Sequence, residues 1–491
     1  MWVTELVCIV LGWVVVAVGQ WVYRWRNPKC DKGTLPPGSM GLPFIGETFQ
    51  LFRRSKSFDV PLFLTSRIQK HGKIFKTSVA GRAVVMSVDP DFNHYILQQE
   101  GKLVELWYMD SLAEFIGQQG PLKEVATAGN LHKNFKKLIH EHIGIESLKG
   151  DLLGLMDQVV NWTLESWAAS PTGSVEVKSA VSKMTMDLSL SIMLGYDPLN
   201  TDPNLSKMFT EFRRGLLSFP LKLPGTVLHS CLQNRKKIMT MIMNTMKSKR
   251  DSSSSSTAET PTTGANHDML DRFLDDKNVQ TSVNDGAVGY VVFALLFAFA
   301  ETIPSVLMLV MKLLPENPLV MEELVKENEE ILRTRESKEG ELTWKEYKSM
   351  NFTMNVINEI LRLSGSIGLI RRAIDDIYVN GYVIPKGWTI AVMSTAVHLN
   401  PDTYDDPLSF NPWRWKGANA SSKNFMPFGG GMRTCVGADY SKVLMAIFVH
   451  NLVTKYRWKT IKGGEVYRAP AVQFGDDYYV ELSNKEASMD M

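Results

Sequence analysis

Cys435 closes the run Phe428-Gly429-Gly430-Gly431-Met432-Arg433-Thr434-Cys435-Val436-Gly437, and a helical apolar pattern follows from Val436 to about Tyr456. A helix points the positive end of its dipole at groups just before its first turn, and Arg433 lies two residues from the thiol. Both favour thiolate over thiol. The other cysteines, Cys8, Cys30 and Cys231, are scattered, so neither a disulfide framework nor a metal knuckle is spelled out. A lone thiolate behind a glycine run suits a single bond to haem iron, the arrangement that favours O–O cleavage, and the glycines let backbone approach a large flat ligand. The alternative is a glycine-rich turn holding a buried free cysteine. A second chemical pair, Glu301-Thr302, follows the apolar run Gly286 to Ala300. A carboxylate in such surroundings must be hydrogen-bonded, paired or neutral, which makes Glu301 a candidate functional group. An acid beside an alcohol can pass protons.

The spacing Phe-x-x-Gly-x-Arg-x-Cys-x-Gly, from Phe428 to Gly437, resembles the haem-binding signature of the cytochrome P450 family. Ala298-Phe299-Ala300-Glu301-Thr302 resembles that family's Ala/Gly-Gly-x-Asp/Glu-Thr, with Phe299 in the glycine position and Pro304 shortly after. Glu359-Ile360-Leu361-Arg362 and Phe410-Asn411-Pro412-Trp413-Arg414-Trp415 resemble the two elements whose three charges lock the core behind the haem. The motifs run in the family's order from residue 36 to residue 475.

The resemblance implies a mainly α fold with small β-sheets and an N-terminal transmembrane helix. Its cofactor would be haem b, iron protoporphyrin IX, with Cys435 as the metal ligand and Phe428 and Gly437 framing the cofactor loop. Thr302 and Glu301 would be the catalytic proton carriers. Arg433, Arg371, His132 and Lys136 would hold the propionates, and Lys136 stands where arginine is usual, so its contact would be a point charge rather than a fork. Arg372 reads as a solvated charge. The implied activity is that of a monooxygenase fed electrons by a separate NADPH-cytochrome reductase, because no flavin or nicotinamide fingerprint is visible. The runs Glu105 to Asp110, Leu342 to Met350 and Phe410 to Trp415 look like a plant subfamily that oxidises sterols and tetracyclic triterpenoids, by hydroxylation or carbon–carbon cleavage. Two other classes stay open: a haem-thiolate isomerase or dehydratase needing no outside electrons, and a non-catalytic haem-binding sensor.

These residues need a scaffold, and 491 residues with 44% apolar composition suffice to bury a large core. A formal charge of +2 leaves no electrostatic footprint for nucleic acid. Trp2 to Tyr23 is apolar for about the twenty residues that a membrane span requires, and Arg24, Arg26 and Lys29 follow at once. The positive-inside rule then places the rest in the cytosol, and the resemblance to microsomal members of the family implies a single-pass protein of the endoplasmic reticulum membrane; a cleaved signal peptide is the competing reading. The expected domains are an anchor over 1–23, a basic, proline-rich hinge over 24–46 and a monomeric haem-thiolate domain over 47–485. The sequons at Asn161, Asn204, Asn351 and Asn419 would then be unused.

Hairpins are expected over residues 74–88, turning at Ala80-Gly81-Arg82, and over 378–387, turning at Asn380-Gly381. A long buried helix should run from Asn284 to Leu314, kinked at Pro304. The apolar segment from Glu100 to Pro121 should line a pocket, and 216–224 should dip into lipid. The serine-rich stretch 251–264 reads as a disordered loop, and His140 and His142 as surface residues. Phe299 is expected to wall the substrate pocket, with a structural wedge beneath the Pro304 kink as the alternative.

Overall fold

The computed structural model describes residues 2–107, 129–199, 208–209, 211–212, 223–255, 268–335, 340–365, 368–417, 423–469, 471–475 and 477–485. Trp2–Arg26 forms α1, and none of its apolar span is buried. Its Trp21 ring touches Phe44 at 5.3 Å, so helix and connector meet. The connector is built into the body: Lys76 donates its backbone N–H to Pro37 O at 2.8 Å and its Nζ to Pro36 O at 2.9 Å. Prolines suit such an edge because they need no ladder donor. The sequence segment expected to dip into lipid lies outside the described residues except for Leu223 and Pro224. So does the pocket-lining segment beyond Trp107.

Ile74–Val79 (β1) and Arg82–Ser87 (β2) pair in the register Val79 to Arg82, leaving Ala80 and Gly81 as the turn, with φ of 49° and 73°. Positive φ at both positions gives the turn whose twist matches the strands. Arg82, expected in the turn, is the first strand residue. Val104–Leu106 (β3), Leu369–Ala373 (β4) and Thr389–Val392 (β5) complete a sheet ordered β1-β2-β5-β4-β3, in which Leu106 faces Arg371. The second hairpin turns at Asn380-Gly381 as expected.

Against this sheet stands a helical body comprising Pro90–Leu97 (α2), Gly129–Ile143 (α3), Val177–Leu194 (α4), Val227–Ser255 (α5), Asp285–Leu313 (α6), Pro318–Thr334 (α7), Asn351–Ser364 (α8) and Ala438–Lys455 (α9). Helix α6 is capped by Asn284, whose Oδ1 accepts from Ala287 N–H at 2.9 Å. It is apolar enough to cross a membrane, yet 56% of that window is buried, and it packs against α4, α5, α8 and α9. It is the core helix of the protein, unbroken through Pro304. Helix α5 continues through Asp251 to Ser255, where a loop was expected; residues 256–264 lie outside the described residues.

Behind α8 lies a buried ionic knot. Glu359 accepts from Arg362 at 2.7 and 2.9 Å, from Arg414 Nε at 3.0 Å, from Trp415 Nε1 at 3.0 Å and from Asn411 N–H at 3.0 Å. Arg362 also donates to His398 O and Pro407 O, and Arg414 to Asp405 O. The three charges therefore tie α8 to residues 398–415.

Three buried histidines and the half-buried His132 sit in this body. His142 is a correction: it is buried and donates to Ile192 O at 3.1 Å, because its place on α3 faces α4. His450 of α9 bonds Asn328 of α7 at 2.8 Å, and His398 accepts from Met426 N–H. Burial pushes His132, His142 and His450 from 6.5 to about 4, and His398 to about 3. Above pH 6.5 folded and unfolded chains are both neutral at these sites; below it the unfolded chain takes up protons that the folded one refuses. Stability should therefore fall with pH from about 6.5 toward about 4. Melting temperatures across that window should fall less steeply for His450→Gln than for the native chain, and equal slopes would count against the assignment.

Candidate functional site

The cysteine loop is closed by Cys435 N–H donating to Phe428 O at 3.0 Å, while Thr434 bonds back to Gly431 O through both N–H and hydroxyl. Lys136 reaches in from α3 and donates to Met432 O and Thr434 O, each at 3.1 Å. Its ammonium thus braces the loop carbonyls. The Phe428 ring is covered by Lys442 Nζ at 5.6 Å.

Gly431 owes its identity to protein packing: at φ 67°, an added Cβ would fall 2.0 Å from Leu97 O at the end of α2. The glycine run is expected to give clearance for a flat ligand; Gly431 instead admits the end of α2. Gly437 differs, since a Cβ there would meet nothing within 4 Å. It precedes α9, which starts at Ala438 rather than Val436.

Cys435 lies in a recess that solvent reaches but protein surrounds on most sides. That desolvation pushes its thiol up, against the pull of the Gly437 N–H and the Lys136 charge. The expected low pKa is thus corrected: the local dipole and Lys136 help, Arg433 is turned elsewhere, and burial wins. A metal at the sulfur would reverse this, because a coordinating thiol is deprotonated outright.

Arg433 turns to Glu100. Its Nε donates to Glu100 Oε1 at 2.9 Å, and Arg371 Nε approaches Oε2 at 2.9 Å as a charge contact outside hydrogen-bond alignment. All three side chains are at least nine-tenths buried, and Leu106 N–H donates to the same carboxylate at 2.8 Å. Two cations thus meet on one buried anion, a pairing that makes burial of all three charges tolerable. Nearby His132 has an Nε2 with no partner among the described residues. Burial first, then the charges of Arg433 and Lys136, hold its imidazole at about 4 and hence neutral at pH 7. Arg372 pairs with Glu105 at the surface.

On α6 the two exposed residues are Ala298 and Thr302, one turn apart on one face, and the rest of the helix is buried or half-buried. Thr302 Oγ1 donates to Ala298 O at 2.9 Å, so the hydroxyl keeps its lone pairs available. Glu301 is half-buried beside it. A reachable thiol, an open Cβ position at Gly437, a His132 nitrogen unpartnered among the described residues and two buried arginines together fit a large planar iron ligand bearing carboxylates.

The family sequence model described as Cytochrome P450 matches residues 36–471. The chain belongs to the cytochrome P450 family. It is 44% identical to cytochrome P450 87A3 of Oryza sativa subsp. japonica, over 95% of this chain and 89% of that one. It is 40% identical to cucurbitadienol 11-hydroxylase of Siraitia grosvenorii (97% and 99% covered). With beta-amyrin 16-alpha-hydroxylase CYP87D16 of Maesa lanceolata the identity is 38% (99% and 100% covered). The solved structure of retinoic acid-bound cyanobacterial CYP120A1 superposes with a TM-score of 0.78 at 25% identity, over 92% of this chain and 99% of that one. The protein is accordingly a haem-iron monooxygenase that draws electrons from a redox partner and acts on hydrophobic substrates.

Within this P450, Phe299 does not line the open face of α6. Its ring is 7% exposed and meets the Tyr440 ring edge-on, centroids 4.8 Å apart at 90°. Tyr440 belongs to α9, so Phe299 joins α6 to the helix that follows the cysteine loop. This corrects the expected pocket wall: position 299 is rotated about 100° from Ala298, away from the recess. Sequence reasoning missed Tyr440 and Glu100; the only signal for Glu100 was an acid opening an otherwise apolar segment. Phe299→Gly should cost about 3–5 kcal/mol by cavity formation and helix loosening, read as a lower melting temperature, while Phe299→Leu leaves product ratios unchanged. A Phe299→Gly protein of native stability with a shifted oxidation site would contradict this placement.

Proposed function

We propose that this P450 is a membrane-anchored triterpenoid or sterol hydroxylase in which the Cys435 thiolate would hold the haem iron. The observation that supports the site assignment is the closed loop holding one reachable thiol, with Arg433 of that loop and Arg371 meeting on the buried Glu100 carboxylate. The triterpenoid class rests on the named relatives, which include hydroxylases of beta-amyrin and cucurbitadienol.

When bound, haem b supplies dioxygen activation and oxygen insertion. The chain's residues do the rest. The Phe428 carbonyl and Lys136 hold the cysteine loop in place, and Gly437 N–H faces the sulfur. Arg371, Arg433, His132 and the remaining N–H of Lys136 hold the propionates. Thr302 Oγ1, anchored on Ala298 O, passes protons that Glu301 supplies from its half-buried carboxyl.

Residues 1–23 serve as the single anchor in the endoplasmic reticulum membrane, 24–46 as the connector and 47–485 as the cytosolic catalytic domain, working as a monomer with NADPH-cytochrome reductase. Purified full-length protein with that reductase, NADPH and isotopically heavy dioxygen, offered beta-amyrin, cucurbitadienol and cholesterol, should give a hydroxylated product carrying one heavy oxygen. Product formed without NADPH, or without label, would instead indicate an isomerase or dehydratase. Binding spectra with no turnover on any substrate would indicate a sensor.

A further inference from the structure

We infer that the catalytic body has a bilayer contact of its own beside α1, and that this contact selects anionic phospholipid through Arg53 and Arg54. Leu42, Phe44, Ile45, Phe49, Phe52 and Leu62 all lie exposed, with Phe44 at 76%, Phe49 at 78% and Leu62 at 71%. Single apolar groups in water are ordinary, but a cluster of this size marks a surface that something apolar covers. The display at Phe44 is built into the backbone. Its φ of 64° lies in the left-handed region, where a bulky residue is strained and persists only if its surroundings hold it there. The loop is closed by Gly46 N–H donating to Leu42 O at 2.7 Å and Ile45 N–H to Pro43 O at 2.8 Å. It sits on the β1–β2 turn, where an added Cβ on Gly81 would fall 2.7 Å from Phe44 O.

Helix α1 identifies what covers this face. The Phe44 ring meets Trp21 at 5.3 Å, so the patch continues directly from the apolar span. Arg24 and Arg26 close α1, and Trp21 lies about 7 Å back along the axis from Arg26. With those arginines among the headgroups, Trp21 and Phe44 stand where headgroups give way to acyl chains, the depth at which tryptophan concentrates. Beside the apolar edge runs a surface groove of about 630 Å³, whose lining includes Gln50, Arg53, Arg54, Leu62 and Gln69. No carboxylate is among the described residues that line it. Both arginines are exposed, and the Arg54 guanidinium is held 4.5 Å over the Tyr467 ring, which orients its plane while its N–H edge can still meet an acceptor. Two guanidiniums and two side-chain amides supply the donors that a phosphate takes, and Leu62 in the same groove meets the acyl chains. Basic groups at that depth are drawn to an anionic leaflet.

This inference rests on the proposed role of α1 as the anchor. The test uses full-length holoenzyme in lipid nanodiscs of phosphatidylcholine with a known minor share of phosphatidylserine, carrying photoreactive benzoylphenylalanine in place of Phe49. On irradiation, position 49 should form lipid adducts, and the same group in place of Leu319, an exposed residue of α7, should not. Phosphatidylserine should be several-fold over-represented among the adducts relative to its share of the disc. Arg53→Gln combined with Arg54→Gln should return it to that share while adducts persist. Inorganic phosphate added at constant ionic strength should leave the enrichment in place; loss of enrichment would mean a site for free phosphate and overturn the lipid assignment. The inference is also overturned by no adduct at position 49, by equal adducts at position 319, by phosphatidylserine at its disc share in protein with native arginines, or by enrichment that survives the double substitution. If the change at Phe49 prevents folding, benzoylphenylalanine in place of Leu62 is judged by the same outcomes. A protein that does not enter the discs at all would be a failure of the anchor, distinguishable from anchored protein that forms no adduct.

Discussion

The fold depends on one carboxylate that no water reaches. Glu359, at 0% exposure, accepts from two arginines, an indole N–H and a backbone N–H. Burying a charge is tolerable only when its partners are complete, and removal of one partner from such a set typically costs about 3–5 kcal/mol. Here the surplus charge of the second arginine is absorbed by main-chain carbonyls at His398, Pro407, Ser409, Asp405 and Asp406. The knot thereby fixes irregular chain between residues 398 and 415, which regular hydrogen bonding alone could not hold. His398, inside that stretch, accepts from Met426 N–H, two residues before the cysteine loop. The position of the thiol is thus transmitted from α8 through backbone contacts.

The cluster at Glu100 uses the same materials. It too has one carboxylate between two arginines, buried to a similar degree. Leu106 N–H on β3 donates to that carboxylate, and Leu106 pairs with Arg371 of β4, so the sheet edge and the cysteine loop are tied together at one anion.

The parts legible in the sequence were those whose chemistry is local. The cysteine after a glycine run, the acid–alcohol pair on an apolar helix and the Asn380-Gly381 turn each depend on neighbours in the chain. Glu359 with Arg362 was visible as a helical pair, and Arg414 joined it through a resemblance. What escaped depended on distant packing. Gly431 is a glycine because the Leu97 carbonyl, more than three hundred residues earlier, lies against it. Phe299 looked like a pocket wall only while α9 was unplaced; once Tyr440 is beside it, the ring is core. His142 read as surface because its polarity could not disclose the Ile192 carbonyl it meets. The thiol's raised pKa followed from desolvation, which local dipoles could not foretell.

If Cys435 is the thiolate ligand of haem b, the decisive observation is the reduced carbon monoxide difference spectrum of the full-length protein in membranes, taken beside that of Cys435→Ser. The native chain should show the strongly red-shifted absorption band of thiolate-ligated haem, and Cys435→Ser should lose it. Persistence of that band in Cys435→Ser would mean that another residue holds the iron.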